Sequence, residues 1–331
     1  MDTTKIIVGN SMLVSGNNIS HILGIRTTWC TLDKFSNGEI RVEIKDNIRN
    51  KDIYIIQTGY SGENDKYNVN DYLMETLIIV DACRRSMANS VNVIMPYYPY
   101  SRQDKKDEAR SPISAKLFAN LLTTSGINRL VVMDLHSSQV QGFFDIPVDN
   151  IYSLKLVMKY FNENIFSKID TEEKENKYIV VAPDAGSVKR TLKFAKTMGL
   201  DTAIMHKQRN YSKKNTVEKS ILIGDVDLTG KTAIICDDMC DTAGTLIKGI
   251  DTLVENGIED VIVVVTHGIF SGPAIERINK CDYIKEVIVS NSIPQENNQN
   301  MCSKIKIFHI DSLISDIIKR LGTGDSISEL F

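Results

Sequence analysis

Residues 232–245 read TAIICDDMCDTAGT. An apolar run ends at two adjacent carboxylates, Asp237 and Asp238. A third, Asp241, opens a turn of small residues, Thr242-Ala243-Gly244-Thr245. Helical spacing resumes behind the turn, with Leu246, Ile247, Ile250, Leu253 and Val254 on one face and Asn256-Gly257 as the stop. The unit is therefore strand, turn, helix. The helix entrance offers unbonded backbone N–H groups, two hydroxyls and the positive end of a helix dipole, which together suit a phosphate. A Walker-type GxxxxGK[ST] loop is absent here and throughout the chain. One Asp before a helix reads as a cap. Two at a strand end, with a third three residues on, suit hydroxyl donors better. A ligand with a diol at one end and a phosphate at the other satisfies both features, so the stretch points to a sugar phosphate.

Working outward, similar apolar runs recur at 5–10, 52–59, 91–98, 129–136, 178–186, 202–207, 261–268 and 286–292. Most are continuous rather than alternating, as expected of parallel strands covered on both faces. Helical spacing lies between them. In 113–122, Ile113, Leu117, Phe118, Leu121 and Leu122 are expected on one face, with Pro112 in the first turn. The β-α-β-α order predicts an α/β protein of two similar doubly wound domains, each a mostly parallel central sheet flanked by helices. Ligands of such sheets bind at the carboxyl ends of the strands. The boundary is expected near 155, giving domains over 1–155 and 156–315. The tail 316–331 is too short to stand alone and is expected to dock on the first domain. The hydrophilic SKIDTEEKENK (167–177) reads as a surface connection.

Bulk composition narrows the function classes. The 331 residues carry a net charge of −3, which gives no reason to expect nucleic acid or an anionic membrane as partner. No apolar run approaches the ~18–20 residues of a membrane span, and the N-terminus lacks a signal-peptide pattern. The six cysteines show no CxxC spacing, so neither a zinc site nor a disulfide framework is expected, and a reducing, cytoplasmic setting is simplest.

DDMCDTAGT (237–245) resembles the phosphoribosyl-diphosphate binding motif shared by type I phosphoribosyltransferases and ribose-phosphate diphosphokinases. Further stretches resemble the class I diphosphokinases alone. KFSNGE (34–39) is similar to the family's adenine-binding hairpin and implies Phe35, Asn37 and Glu39 near the base. PYYPYSRQDKKDEARSPISAKL (96–117) resembles its ATP region and carries Arg102, Gln103 and Asp107. MDLHSSQVQGFFDIPVDN (133–150) resembles the signature block, placing His136 by the ATP phosphates and a metal ion. VAPDAGSVKR (181–190) resembles the diphosphate loop, with Asp184, Ala185 and Gly186 and with Asp184 as a further metal partner. HKQRN (206–210) supplies Lys207 and Arg209, which in the family lie on a mobile loop over the reacting phosphates. The polar YSKKNTVEKS behind it reads as a lid.

The resemblance runs from about residue 5 to 331, through THGIFSGPAIERI (266–278) and SISELF (326–331). It implies phosphoribosyltransferase-like domains, ATP and ribose 5-phosphate as substrates, Mg²⁺ as cofactor and inorganic phosphate as activator. Asp237 and Asp238 are expected at the ribose hydroxyls, and Asp241 to Thr245 at the 5-phosphate. Ser138, Gln141, Asn150, Ser326 and Phe331 are the implied regulatory positions. A dimer is the implied minimum unit and a hexamer the implied assembly. Glu108-Ala109 stands where Lys-Ser is usual, near the family's regulatory phosphate or ADP site, so allosteric behaviour is open; Cys240 stands where Ala is common. The remaining alternatives are a phosphoribosyltransferase and a non-catalytic regulatory paralogue.

Overall fold

In the computed structural model, residues 3–61, 66–167, 169–208, 219–223 and 227–330 are described; for 206–208 and 219–223 this means the backbone alone. The chain folds as two compact units. One comprises Met1–Ser153, Asn291–Pro294 and His309–Phe331; the other comprises Leu154–Ser290 and Gln295–Phe308.

In the first unit, β1 (Thr4–Val8) leads to α1 (Leu13–Leu23), which Gly24 ends in the left-handed region at φ 65°. β2 (Cys30–Lys34) and β3 (Ile40–Ile44) form a separate antiparallel hairpin. β4 (Asp52–Ile56), α2 (Val69–Arg85), β5 (Ser90–Met95), α3 (Ser114–Ser125), β6 (Arg129–Met133) and β7 (Val148–Ile151) follow. The sheet is parallel throughout, in the order β1-β4-β5-β6-β7. Ile7, Ile55, Val93 and Val132 are fully buried in it, and Phe118 and Leu122 pack in the same core. Every step along this sheet runs the same way, so its strand order contains no reversal.

α3 departs from expectation. Pro112 precedes the helix instead of sitting in its first turn, and the N-cap is Ile113. The buried face is Ala115, Phe118, Ala119 and Leu122, while Leu117 and Leu121 are exposed. Two alanines, rather than the larger leucines, meet the core because the helix lies close to its neighbours.

The second unit opens with α4 (Leu154–Asn164). The expected surface connection contains a helix, α5 (Thr171–Lys177), because Asp170 caps it through the Glu173 N–H at 2.8 Å. It buries no residue of its own, which is why its sequence reads as a connection. β8 (Tyr178–Ala182), α6 (Val188–Met198), β9 (Thr202–Gln208), β10 (Lys219–Ile223), β11 (Thr232–Cys240), α7 (Gly244–Glu255), β12 (Asp260–Gly268), α8 (Ala274–Lys280), β13 (Ile284–Ser290), α9 (Glu296–Met301) and β14 (Ile305–Phe308) follow. The sheet order is β10-β9-β8-β11-β12-β13-β14, with β10 the antiparallel edge strand. Lys219 and Ser220, expected at the end of the lid, lie in β10.

This sheet does reverse. From β8 the chain crosses to β9 on one side; from β11 it crosses to β12 on the other. The crevice at the carboxyl ends of β8 and β11 is therefore the topological switch point, where an open α/β sheet holds its ligand. Finally, α10 (Asp311–Thr323) returns to the first unit and packs on α1. Asn291 fastens that return: its amide donates to Ser15 Oγ (2.9 Å) and Asp311 Oδ1 (2.7 Å), and its Oδ1 accepts from the Ile310 N–H (2.8 Å).

Candidate functional site

β11 pairs with β8 only as far as Ile235–Val181, but with β12 as far as Cys240–Gly268. Residues 236–240 thus project past β8 with one edge unpaired by strand. Asp237 and Asp238 lie in this projection, so the strand runs beyond the two carboxylates instead of ending at them. Asp238 is 7% exposed and donates its N–H to Asp237 Oδ1 at 2.9 Å. Burial, then the neighbouring Asp238 and Asp184, push the Asp237 carboxyl up to about 8. Cys240 is buried and its thiol is pushed to about 12, so it serves as a small apolar side chain.

The turn behind the strand is held from outside. The Cys240 carbonyl accepts from the Ile269 and Phe270 N–H groups (2.9 and 3.1 Å), and the Asp241 carbonyl from Ser271 (3.1 Å). Arg277 Nη1 on α8 donates to the Thr242 carbonyl at 2.7 Å. Ala243, the N-cap of α7, is left-handed at φ 57° and provides no side-chain cap. A non-glycine residue in that region costs about 1 kcal/mol or more and persists only where its surroundings enforce it. With no side-chain cap from Ala243, the first turn of α7 begins beside the exposed Thr242 and Thr245, an arrangement suited to an anion.

Asp184 follows β8 in a tight loop. Its Oδ1 accepts from the Ser187 N–H (3.1 Å), and its carbonyl accepts from Ser187 Oγ (2.9 Å). Ala185 and Gly186 at the tip are exposed. β9, on the far side of β8, carries the backbone of Lys207 near its carboxyl end. Neighbouring strands β9, β8 and β11 thus bring Lys207, the 184–186 loop and the 237–245 stretch to one edge. The Lys207 side chain and the whole of Arg209 lie outside the described residues.

Among the described residues, no three His, Cys, Asp or Glu side chains form a metal-binding group. Asp184 and Asp238 are nonetheless near enough to Asp237 to raise its pKa. Such hard oxygen donors fit a small divalent cation held through one or two carboxylates, with water and phosphate oxygens completing the shell.

The first unit carries the other expected residues at its own strand ends. Phe35 is 50% exposed on the β2–β3 turn, with Asn37 and Glu39 exposed beside it. Gly38 closes that turn at φ 93°. Arg102, Gln103 and Asp107 follow β5 and are exposed; Gln103 is anchored through its Oε1 to Ser114 Oγ and through its carbonyl to the Ala115 N–H. His136 follows β6 and is exposed. Its loop is braced by Asn150, whose Oδ1 accepts from the Leu135 N–H at 3.1 Å, and by Asp134, whose Oδ2 accepts from the Ser153 N–H at 3.1 Å. Asn150 is buried at the end of β7. Ser138 and Gln141 share a 3₁₀ turn, joined by Gln141 Nε2 to the Ser138 carbonyl at 2.9 Å. Ser326 is exposed below Arg320, which donates to its carbonyl at 2.7 Å. Phe331 lies outside the described residues.

Sequence reasoning passed over Arg277 and the left-handed Ala243. The quoted block 266–278 contains Arg277, but nothing in its spacing shows that it reaches a carbonyl 35 residues earlier.

Comparison with known proteins identifies the family. Residues 4–126 match the family model described as the N-terminal domain of ribose phosphate pyrophosphokinase, and residues 217–331 match the phosphoribosyl synthetase-associated domain. The chain is 41% identical over 330 residues to ribose-phosphate pyrophosphokinase 2 of Schizosaccharomyces pombe, covering 100% of this chain and 98% of that one. The crystal structure of phosphoribosylpyrophosphate synthetase from Mycobacterium smegmatis superposes with a TM-score of 0.86 at 34% identity, covering 97% of this chain and 99% of that one. Matched along its full length by these relatives, the chain belongs to the ribose-phosphate pyrophosphokinase family.

Proposed function

We propose that this protein transfers the diphosphate of ATP to the C1 hydroxyl of ribose 5-phosphate, giving 5-phosphoribosyl 1-diphosphate and AMP for nucleotide biosynthesis. The observation that carries the ribose half is the switch-point crevice. Carboxylates there, suited to accept from hydroxyls, lie a few residues before a helix entrance with no side-chain cap from its N-cap residue, which suits a phosphate. Asp237 and Asp238 accept hydrogen bonds from the ribose hydroxyls. Asp241 to Thr245 wrap the 5-phosphate, which meets the N–H groups of the α7 entrance and the hydroxyls of Thr242 and Thr245. Binding both ends of the sugar fixes its C1 oxygen, and such fixation supplies much of the acceleration of an in-line displacement.

The C1 oxygen attacks the β-phosphorus of ATP, the bond from that phosphorus to the α-bridging oxygen breaks, and AMP leaves. The proton of the C1 hydroxyl passes to solvent or to a phosphate oxygen. Lys207 and Arg209 stabilise the charge that grows on the moving diphosphate, and the 184–186 loop receives it. Phe35, Asn37 and Glu39 hold the adenine; Arg102, Gln103, Asp107 and His136 hold the ATP phosphates and ribose. Asp184 and His136 are the residues that would hold Mg²⁺, which would supply charge neutralisation for the ATP phosphates when bound.

The first unit, which takes in 291–294 and all of 309–331, the expected tail included, is the ATP side, and the second unit is the ribose side. The exposure of the ATP residues on the first unit supports a site completed by a second copy, with a dimer as the minimum active form and a hexamer as the full assembly. Inorganic phosphate is the activator, near Ser138, Gln141, Asn150, Ser326 and Phe331. No helix among the described residues is long and apolar enough to cross a membrane, and the proposed setting is the cytoplasm. Incubation of the purified chain with ATP, ribose 5-phosphate, Mg²⁺ and phosphate tests the proposal: AMP formation that depends on ribose 5-phosphate supports it. No AMP from the folded chain would point to a non-catalytic paralogue, and base-dependent diphosphate release to a phosphoribosyltransferase.

A further inference from the structure

A two-stranded hairpin is marginal on its own in water, and β2–β3 belongs to neither large sheet. Something else must hold the turn that presents Phe35, Asn37 and Glu39. Cys30, Leu32, Val42 and Ile44 pack on the core and Ile40 on Tyr67 and Tyr72; the polar grip nearest the turn falls on Leu32 and Lys34, close before Phe35. The Leu32 carbonyl accepts from Asn10 Nδ2 at 3.2 Å. Lys34 Nζ lies 2.8 Å from Asp71 Oδ2, 3.1 Å from the Lys66 carbonyl and 4.6 Å from the centre of the Tyr67 ring.

The Lys34–Asp71 pair differs from ordinary surface pairs. Its side chains are 17% and 19% exposed, against 66% and 55% for the neighbouring Lys66–Asp33 pair, so solvent screens it less. Asp71 is itself fixed: it is the third residue of the α2 capping box, and Oδ2 also accepts from the Asn68 N–H at 2.8 Å. One turn further along α2, Glu75 is fully buried and accepts from the Asn10 N–H (2.9 Å), Asn10 Nδ2 (2.6 Å) and Gln57 Nε2 (2.6 Å). Asn10 thereby joins Glu75 to the hairpin. The same first turn of α2 meets the other ATP stretch, because Tyr100 donates its hydroxyl to Asn70 Oδ1 at 2.6 Å. Tyr100 is left-handed at φ 61°, and this bond helps to hold it so.

We propose that Asp71, acting through Lys34, is a positioning residue for the adenine end of ATP, and that the first turn of α2 sets the hairpin bearing Phe35, Asn37 and Glu39. The inference rests on the reading of that hairpin given under the proposed function. Asp71 touches no substrate; it fixes the angle at which the turn meets the base. Losing the pair should weaken ATP binding while leaving the ribose side and the chemical step alone.

The test is steady-state kinetics with each substrate varied at saturation of the other. Asp71→Asn keeps an acceptor for the Asn68 N–H, so the helix cap survives, and Lys34→Met leaves α2 untouched. Each is expected to raise KM for ATP about fivefold, with kcat and KM for ribose 5-phosphate unchanged. The double variant should be no worse than the worse single one, and Lys34→Arg should stay near wild type. Phe35→Ala is the reference. If it raises KM for ATP while Asp71→Asn and Lys34→Met do not, the positioning role is overturned and the hairpin reading stands. The role is also overturned if those two variants change both KM values and kcat together. If Phe35→Ala leaves KM for ATP unchanged, the hairpin reading itself fails.

Discussion

Replacing Asp237 by Asn separates what this carboxylate does for a ligand from what it does to the fold. In the unliganded chain, burial and then Asp238 and Asp184 push it up to about 8 from 3.8. The folded state holds this proton more tightly than the unfolded chain does. Its contribution to stability is therefore complete below pH ~3.8 and is lost as pH rises through the folded value near 8. A gap of about four units sets a ceiling of ~6 kcal/mol at about 1.36 kcal/mol per unit. The side chain is only half-buried and shares its titration with Asp238, which brings the cost to the order of 2 kcal/mol. The amide keeps the shape and can still accept from the Asp238 N–H, but carries no charge. Melted in EDTA without substrate, Asp237→Asn should gain on the parent by roughly 5 °C between pH 5 and pH 8. Its turnover with ribose 5-phosphate should fall by at least about tenfold, the scale of one lost charge-assisted hydrogen bond. A melting difference that stays flat or reverses with pH would refute the crowding of these three carboxylates.

Arg277→Met releases the Thr242 carbonyl and should raise KM for ribose 5-phosphate about fivefold with KM for ATP unchanged; equal effects on both would count against its role in the phosphate turn. Lys207→Ala should cut kcat by about a hundredfold or more while the ribose 5-phosphate Kd, read by calorimetry, moves less than about twofold. Unchanged turnover would remove Lys207 from the chemistry. Chelating Mg²⁺ with EDTA should abolish AMP formation, and excess Mg²⁺ should restore it; full activity in EDTA would contradict a metal-bridged diphosphate. Leu122→Ala, in a fully buried position of the first unit, should cost about 2–5 kcal/mol of stability, seen as a lower denaturation midpoint; an unchanged midpoint would contradict its place in the core.

Much of this architecture was legible because both large sheets are covered on two faces. Runs such as Ile179–Ala182 and Val261–Val265 therefore read as continuous apolar strands. The strand–turn–helix at 232–255 was legible because its carboxylates break an apolar pattern abruptly. Other parts were hidden for physical reasons. α5 has no buried face, so hydrophobic spacing could not show it; only Asp170, a cap, betrays it. In α3 small alanines face the core, so counting large apolar residues selected Leu117 and Leu121, which point out. The left-handed Ala243 is set by bonds from residues 269–271 and 277 to residues 240–242, contacts that no local pattern encodes. Lys34 and Asp71 likewise read as ordinary surface charges until the fold brings them together.

In the proposed reaction the whole diphosphate moves, not one phosphoryl group. The most direct measurement supplies the purified chain with Mg²⁺, phosphate, ribose 5-phosphate and ATP labelled at both the β- and γ-phosphorus, and follows the products by phosphorus NMR and chromatography. Equal amounts of AMP and a ribose 5-phosphate ester bearing both labelled phosphoryl groups at C1 are predicted. ADP with a singly labelled sugar, or no labelled sugar from a folded chain, would contradict the account.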